Sequence, residues 1–158
     1  MTQAIDKVEA KIIRLLQKDG RMPTVKIAKT IGISEGTVRN RLKRLLADEV
    51  IQIVAVGNPF KLGFGISGYS KMAVDIKKIQ TVIDQLMKLP EVWYIALATG
   101  GTDLDIEFHL RSLEDLRTLV YERLNQIDGI IRTDTTLTIH FIKRCYQWGT
   151  ALDQEDAD

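Results

Sequence analysis

Apolar residues in the first fifty positions recur every three or four residues, the spacing of helices that bury one face. A first helix is outlined by Ile5, Val8, Ile12, Leu15 and Leu16. Gly20 follows, and it is expected to end this helix in a left-handed conformation. Pro23 begins a second, shorter helix that stops at Gly32. The apolar positions of this second helix are Val25, Ile27, Ala28 and Ile31.

Ser34 is a natural N-cap for a third helix, whose apolar stripe is Val38, Leu42, Leu45 and Leu46. Counted from Thr24 as position one, Ala28 stands at position five, Gly32 at nine and Val38 at fifteen. A helix-turn-helix needs a small residue where its helices approach, a glycine in the turn and an apolar residue in the angle between the helices. The spacing therefore predicts a helix-turn-helix whose last helix enters the DNA major groove.

Beyond this region the pattern changes to strands alternating with helices. A linker strand is predicted over 50–56, and it leads into a turn at 57–59. The glycines of 63–68 mark a domain boundary. The predicted elements that follow are a strand at 69–74, a helix at 76–87, strands at 92–98 and 104–110, a helix capped by Ser112, and a strand at 130–142.

This β-α-β-β-α-β order predicts a ferredoxin-like sandwich, with both helices on one face of an antiparallel sheet. The other face is expected to carry Trp93, Ile95, Phe108 or their alternates, and an apolar face of this kind favours oligomerisation. The fold class is α+β, with a three-helix (winged) helix-turn-helix domain joined by a linker strand to the sandwich. The expected domains are 1–50 (helix-turn-helix), 51–65 (linker strand and turn), 66–145 (sandwich) and 146–158 (acidic tail).

The charge distribution separates the same two parts of the chain. Residues 1–50 contain 11 Lys and Arg against 6 Asp and Glu, whereas the remainder has 11 against 15. The whole 158-residue chain has a net charge of +1, which hides this asymmetry. A basic first third joined to an acidic remainder is typical of a protein in which one domain meets phosphates.

The polar face of the third helix supplies the candidate DNA contacts. Base or near-base contact is predicted for Ser34, Gly36, Thr37, Asn40 and Arg41. Phosphate contact is predicted for Thr24, Lys26, Arg39, Lys43 and Arg44. Arg41 has an alternative, since it is also able to pair with Asp6 or Glu9 of the first helix.

Composition excludes several classes of protein. No apolar run is long enough to cross a bilayer, so no membrane partner is expected. The single Cys145 excludes an internal disulfide and suits a reducing cytosol, and it provides no structural zinc site. We expect a cytoplasmic, nucleoid-associated protein that is not an enzyme. Two histidines, His109 and His140, lie in predicted strands without the partners that catalysis requires.

Four motifs occur in a specific order: Ile33-Ser34-x-x-Thr37-Val38-x-x-Arg41-Leu42-x-x-Leu45, Asn58-Pro59-x-x-Leu62-Gly63, Gly100-x-x-Asp103 and Thr133-Asp134-Thr135. They resemble the recognition helix, linker, effector loop and last strand of the leucine-responsive regulator/asparagine-activator (Lrp/AsnC) family of bacteria and archaea. The resemblance covers nearly the whole chain. It implies a homodimer, often assembled into tetramers or octamers, and amino-acid effectors bound between dimers near the Gly100–Asp103 loop.

The effector site that the resemblance implies consists of Gly100, Gly101, Thr102, Asp103, Thr133 and Thr135. Glycine N–H groups suit a carboxylate, and Asp103 is able to accept hydrogen bonds from an α-ammonium group. The alternative is a plain hairpin in which Asp103 bonds its own turn. Thr102 replaces a common aromatic residue and Gly101 a common polar one. Effector identity is therefore open, and no other cofactor is expected.

One further departure from the family lies after the recognition helix, where Glu49 replaces a common glycine. If the backbone is left-handed there, a residue with a side chain costs about 1 kcal/mol.

The function predicted is a sequence-specific transcriptional regulator whose assembly or DNA affinity responds to a small molecule, an amino acid by resemblance. Two alternatives stay open. One is an enzyme resembling the tetrapyrrole decarboxylases that share this architecture, and the other is an architectural protein that wraps DNA with little sequence preference.

Overall fold

The structure, a computed structural model, describes residues 5–152, which form two compact units. The first unit comprises residues 5–56 and 143–152, and the second comprises 57–142. The boundary between the two units therefore lies at residues 56–57, before the glycines of 63–68 that were expected to mark it. Residues 143–145, predicted in the second domain, group with the first unit. Residues 1–4 of the predicted first domain and 153–158 of the predicted tail lie outside the described residues.

The first unit is built on three helices, α1 (Lys7–Lys18), α2 (Thr24–Ile31) and α3 (Glu35–Ala47). Their buried core consists of Ile12, Ile13, Ile27, Ala28, Val38 and Leu45. The predicted helices are thus present, but Val25 and Leu46, both placed on apolar stripes, are exposed. No helix among residues 5–152 combines the length and apolar character needed to cross a bilayer.

The turn after α1 differs from its prediction. Asp19 ends α1 with an extended φ of −148°, and its N–H donates to the Leu15 carbonyl. The Asp19 carboxylate then accepts the N–H of Arg21 at 3.0 Å, so this side chain closes the turn. Gly20 is not in the left-handed region, because the aspartate already supplies the turn.

The end of α3 requires a left-handed residue, and that residue is Glu49, with φ 55°. The N–H of Val50 donates to the Leu45 carbonyl at 2.9 Å, and the N–H of Glu49 donates to the Leu46 carbonyl at 3.3 Å. This is the hydrogen-bond pattern of a helix end that usually contains glycine. The condition for backbone strain at Glu49, a left-handed conformation, is therefore met.

Glu49→Gly is expected to stabilise the first unit by up to about 1 kcal/mol, because glycine carries no penalty at positive φ. Asp48→Gly is the matched control: Asp48 has φ −85°, so glycine brings only its entropic cost of roughly 0.5–1 kcal/mol. Thermal unfolding followed by circular dichroism separates the two variants. Equal destabilisation by both would show that Glu49 is not strained.

The predicted linker strand is absent. Residues 51–57 form no ladder, and the described part of the first unit contains no wing. A strand requires a partner for its backbone N–H and C=O groups. The apolar residues of this segment favour an extended strand, but they do not supply that partner. Its side chains Ile53, Val54 and Val56 are exposed.

The second unit contains β1 (Ile66–Val74), α4 (Ile79–Leu86), β2 (Val92–Leu97), β3 (Leu104–Leu110), α5 (Leu113–Arg117) and β4 (Ile130–Leu137). After α5 the chain remains helical, as a π-helix at Thr118–Arg123 and a 3₁₀ helix at Leu124–Gln126. The sheet order is β2-β3-β1-β4 and every pairing is antiparallel, as the ferredoxin-like prediction requires.

Strand register decides which residues face the helices. Phe108 pairs with Gly68 and Ile95 pairs with Ile106, all on the face that packs against α4 and α5. Of the three residues named for the free face, Ile95 and Phe108 therefore face the helices, where the alternates that the prediction also allowed take their place, whereas Trp93 stacks on His109 at the free face. In β2 an irregularity between Val92 and Tyr94 changes which side chains face the helices. A prediction that assumes strict alternation of side chains between the two faces does not anticipate this shift. The free face instead carries Tyr69, Lys71, Tyr94, Asp105, Glu107 and His109.

The last strand is shorter than predicted, because β4 ends at Leu137 rather than continuing to Ile142. The N–H of Thr138 still donates to the Ser67 carbonyl at 2.8 Å. Beyond this point only Ile66 of β1 remains, since it is the first residue of that strand. Ile139 and Ile142 consequently lie exposed outside the sheet.

Candidate nucleic-acid interface and effector loop

Ala28, Gly32 and Val38, the three residues that the spacing indicated, have the roles in the helix-turn-helix that were predicted for them. Ala28 and Val38 are buried between the helices. Gly32 has φ 82°, and its N–H donates to the Ala28 carbonyl at 2.9 Å. Ser34 caps α3 by accepting the N–H of Thr37 on its Oγ at 3.1 Å. This geometry fixes α2 against α3 and leaves one face of α3 free.

The exposed side of α3 carries Gly36, Thr37, Arg39, Asn40 and Lys43. Within the described part of the chain, Asn40 and Lys43 make no hydrogen bond or ion pair. Lys26 at the start of α2 is also exposed. An unpaired amide and two unpaired ammonium groups are suited to base edges and phosphates, respectively.

Glu35 organises the beginning of α3. Its carboxylate accepts the Thr24 hydroxyl at 3.0 Å and the Arg39 guanidinium at 2.6 Å. Thr24 and Arg39, predicted to contact phosphate, therefore have a partner on the protein. The Ser34 and Thr37 hydroxyls likewise lie 2.8 Å apart and share a hydrogen bond. The sequence interpretation missed Glu35, although an acidic residue in the first turn of a helix is a recognisable signal.

Two predicted DNA contacts turn towards α1 instead. The Arg41 guanidinium pairs with Asp6 and lies 3.7 Å from Glu9, and the Arg44 guanidinium pairs with Glu9. For Arg41 this is the alternative that the sequence had left open. For Arg44 the buried Glu9 carboxylate is a partner that the sequence interpretation did not name, and its predicted phosphate contact stays a prediction.

The sequence interpretation named Glu9 as a possible partner of Arg41, but it missed the burial of Glu9, its pairing with Arg44 and its part in the cap of α1. Its side chain is fully buried, yet it occupies the third position after the N-cap Asp6. Its Oε2 accepts the N–H of Asp6 at 3.1 Å, and Asp6 Oδ1 accepts the N–H of Glu9 at 2.9 Å, so the two residues form a capping box. The spacing Asp6-x-x-Glu9 was a readable signal for this contact.

The Glu9 N–H lowers the pKa of the Asp6 carboxyl below its ordinary value, and the Arg41 guanidinium lowers it further. A carboxyl whose folded-state pKa is depressed stabilises the folded state above its unfolded pKa. That contribution is lost as the pH falls through the depressed value. The cap of α1 is therefore sensitive to acid, and Asp6 is about half exposed, so the effect is small.

The predicted effector loop connects β2 to β3. Gly100 has φ 112°, and a side chain at Gly101 would meet nothing within 4 Å, so the backbone of the loop is open to solvent. The Ala98 N–H donates to the Asp103 carbonyl at 2.8 Å and closes the hairpin. Asp103 Oδ2 accepts the N–H of Val74 at 2.9 Å, so the carboxylate binds the end of β1 rather than its own turn.

Thr133 and Thr135 lie elsewhere in the sheet. They pair with Met72 and Ser70 on the helix-covered face of β4. Thr133 donates to Asn125 Oδ1 at 3.2 Å, and the hydroxyls of Thr135 and Ser70 are 2.7 Å apart. Because β1 lies between β3 and β4, two strand spacings, or about 10 Å, separate these threonines from β3, the strand that the loop enters. Within one chain, the six predicted effector residues do not converge.

Comparison with known proteins assigns both units. Residues 5–46 match the AsnC-type helix-turn-helix domain, and residues 71–148 match the Lrp/AsnC ligand binding domain. An uncharacterised HTH-type transcriptional regulator of Pyrococcus abyssi is 36% identical over 148 residues, covering 93% of this chain and 91% of that protein. The chain belongs to the Lrp/AsnC family. As a member, it is a DNA-binding transcriptional regulator with a ligand-binding domain.

Further relatives of this Lrp/AsnC protein agree. The HTH-type transcriptional regulator FL11 of Pyrococcus furiosus is 32% identical over 140 residues, covering 88% of this chain and 92% of that protein. A transcriptional regulator of Neisseria meningitidis, solved as a complex with L-Met, has a TM-score of 0.83 at 21% identity, covering 96% of this chain and 99% of that chain. The AsnC structure of E. coli gives a TM-score of 0.79 at 22% identity, covering 89% and 96%. These structures confirm the α+β fold.

Proposed function

We propose that this regulator reads a two-fold symmetric DNA site through α3 of paired protomers, and that a small amino acid controls its assembly. The observation that carries the reading of DNA is the free face of α3. Asn40 and Lys43 are exposed there and have no partner among residues 5–152, whereas Arg41 and Arg44 are held by α1. Base contact is assigned to Asn40, and phosphate contact to Lys43 and Lys26. A protein with this role works in the cytoplasm, at the nucleoid.

Selection of duplexes from a random library tests this reading. The regulator should enrich one palindrome with half-sites about one helical turn, or a multiple of it, apart. Binding to the selected duplex should persist at salt concentrations that release random DNA. Enrichment of no sequence would instead favour the architectural role, since wrapping without preference needs only phosphate contacts.

Homodimerisation through the free face of the sheet is the second part of the proposal. Tyr69, Trp93 and Tyr94 are exposed on this side of the sheet, and the Trp93 ring stacks on His109 with centroids 5.6 Å apart. One carboxylate oxygen of Asp105 is buried without a hydrogen-bond partner among the described residues. A second protomer would cover the aromatic side chains and supply the missing hydrogen-bond donor.

Light scattering should report a particle larger than the 17.9 kDa protomer at micromolar concentration. A 17.9 kDa particle would contradict it.

The effector proposal rests on the β2–β3 loop. Open glycine N–H groups suit a carboxylate, and the second oxygen of Asp103 is available to an ammonium group, since only Oδ2 bonds Val74. Thr133 and Thr135 join this site only if a neighbouring protomer supplies them. The L-Met complex of the Neisseria structure supports an amino-acid ligand. Thr102 in place of an aromatic residue favours a small or polar one.

Asp103→Asn is the sharpest test of this loop. Asparagine retains an oxygen that accepts the Val74 N–H, but it removes the charge that the ammonium group requires. Calorimetry against the twenty amino acids should detect a ligand for the wild type. Asp103→Asn should lower the affinity for that ligand by roughly 10-fold or more. Asp84→Asn, an exposed carboxylate on α4, is the matched control. If no amino acid binds at millimolar concentration, or if Asp103→Asn binds like the wild type, the loop is only a hairpin.

No catalytic role is proposed. The alternative enzyme reading relied on His109 and His140. His109 stacks on Trp93 at the free face of the sheet, whereas His140 is exposed in the segment after β4. Nothing in the described residues brings the two histidines together with a nucleophile. The helix-turn-helix and its relatives support DNA binding instead.

A further inference from the structure

The most unusual charge in the described part of the first unit is Glu9, a carboxylate with no solvent exposure. A buried charge is costly unless it is paired and every oxygen has a partner. Both oxygens are satisfied here: Oε2 accepts the Asp6 N–H, and Oε1 faces Arg44 and Arg41. The side chain thus joins the N-terminus of α1 to two arginines of the recognition helix.

These arginines define a second charged face of α3. Arg41 and Arg44 are three residues apart and project together, and each directly follows a residue of the outward face, Asn40 or Lys43. One helical position corresponds to a rotation of about 100°. The recognition helix therefore has two basic faces, one turned outward and one held against the acidic N-terminus of α1.

We propose that Glu9 is a positioning residue for sequence recognition, because it holds Arg44 and, together with Asp6, Arg41 against α1 and keeps them off the DNA phosphates. The inference rests on the proposed reading of DNA by α3. The pairing fixes the rotation of α3 about its axis, so that Asn40 faces the bases. It also withholds two cations from sequence-independent binding, which raises the ratio of specific to non-specific affinity.

Glu9→Gln in the full-length protein tests the role of the charge. Glutamine still accepts the Asp6 N–H, so the capping box is retained, but it no longer neutralises the arginines. Arg41 keeps its pairing with Asp6, but Arg44 loses its only carboxylate among the described residues. The freed Arg44 should reach a phosphate, and the slope of log affinity against log salt should steepen by about 0.9 for each phosphate that it neutralises. Affinity for random duplex should rise, and the ratio of specific to random binding should fall by roughly 10-fold. Circular dichroism verifies that the variant is folded.

A purely structural role for Glu9 predicts a different result. Affinity would then fall on selected and random duplexes alike, with an unchanged or flatter salt slope. That outcome in a folded Glu9→Gln variant overturns the proposal.

A second comparison decides the question even if Glu9→Gln does not fold. Lys43→Gln and Arg44→Gln remove one cation each from adjacent positions of α3. Lys43→Gln should flatten the salt slope by about 0.9 per protomer, whereas Arg44→Gln should change it by less than about a third of that. Arg44→Gln should instead lower the melting temperature, since it leaves Glu9 with a weaker partner. Equal flattening by the two variants would show that Arg44 contacts phosphate and would overturn the proposal.

The same experiment separates this inference from the function on which it rests. If Lys43→Gln and Asn40→Ala both leave DNA binding unchanged, α3 does not read DNA, and the proposed function fails together with the role of Glu9. If Lys43→Gln flattens the slope and Arg44→Gln flattens it equally, recognition by α3 stands and only the role of Glu9 is wrong.

Discussion

Asn40→Ala is expected to lower affinity for the selected DNA site by about 1–3 kcal/mol for each protomer bound, the range typical of losing a bidentate contact to adenine. Two protomers on one palindrome double this loss, which corresponds to roughly 30-fold to more than 10,000-fold in affinity. The physical reason is that Asn40 is exposed on α3 with no partner in the described chain, so its amide is free to bond a base. Fluorescence anisotropy with the selected duplex and a random duplex of equal length measures the loss.

The pattern of the loss is as informative as its size. Asn40→Ala should relax preference at one base position in each half-site and leave random duplex nearly unaffected. Gln85→Ala, which removes an exposed amide from α4, should bind like the wild type. An equal loss on selected and random DNA would show that Asn40 holds the backbone rather than a base.

Phe108→Ala is expected to lower the free energy of unfolding of the second unit by about 3–5 kcal/mol. Phe108 is fully buried on β3, within the cluster formed by the sheet, α4 and the helical segment after α5. Its ring packs so closely over β1 that a Cβ at Gly68 would lie 2.8 Å from it. Neighbouring backbone cannot collapse into the space that the ring vacates, so both the transfer term and the cavity term contribute.

A domain of this size is stabilised by about 5–15 kcal/mol, so this loss is a large fraction of the total. Differential scanning calorimetry should show a melting temperature lower by at least about 10 °C. Gln85→Ala is the control in the same unit, because Gln85 is exposed on α4 and lies outside the proposed dimer face; it should change stability by no more than about 0.5 kcal/mol. A loss within about 1 kcal/mol for Phe108→Ala would place the ring outside the core.

Most of the fold could be predicted because its signals are local. Helical spacing located α1, α2 and α3, and the triplet Ala28, Gly32 and Val38 identified the helix-turn-helix. Each of these residues has its type imposed by a contact or dihedral angle within a few residues. The β-α-β-β-α-β order was equally readable, since strand and helix periods differ and the connections are short.

The errors in the strands have one physical cause: a strand exists only where another strand pairs with it. Residues 50–56 and 138–142 have the apolar character of strands, but apart from the bond from Thr138 to Ser67 they form no ladder in the described chain. The irregularity in β2 likewise shifted which side chains face the helices, and only the register with β3 reveals it.

The candidate sites divide in the same way. The cap of α3 at Ser34, its basic character and the position of Asn40 and Lys43 opposite its apolar stripe all followed from the order of residues. The sequence left the partner of Arg41 open between DNA and α1, and it did not show the partner of Arg44, because Asp6 and Glu9 each lie 35 positions from their arginine along the chain. The contact of Asp103 with Val74, and the distance of the two β4 threonines from the loop, likewise depend on strand pairing. Charge is a property of composition, but the partner of a charge depends on which helices and strands pack together, and packing is decided by the whole core.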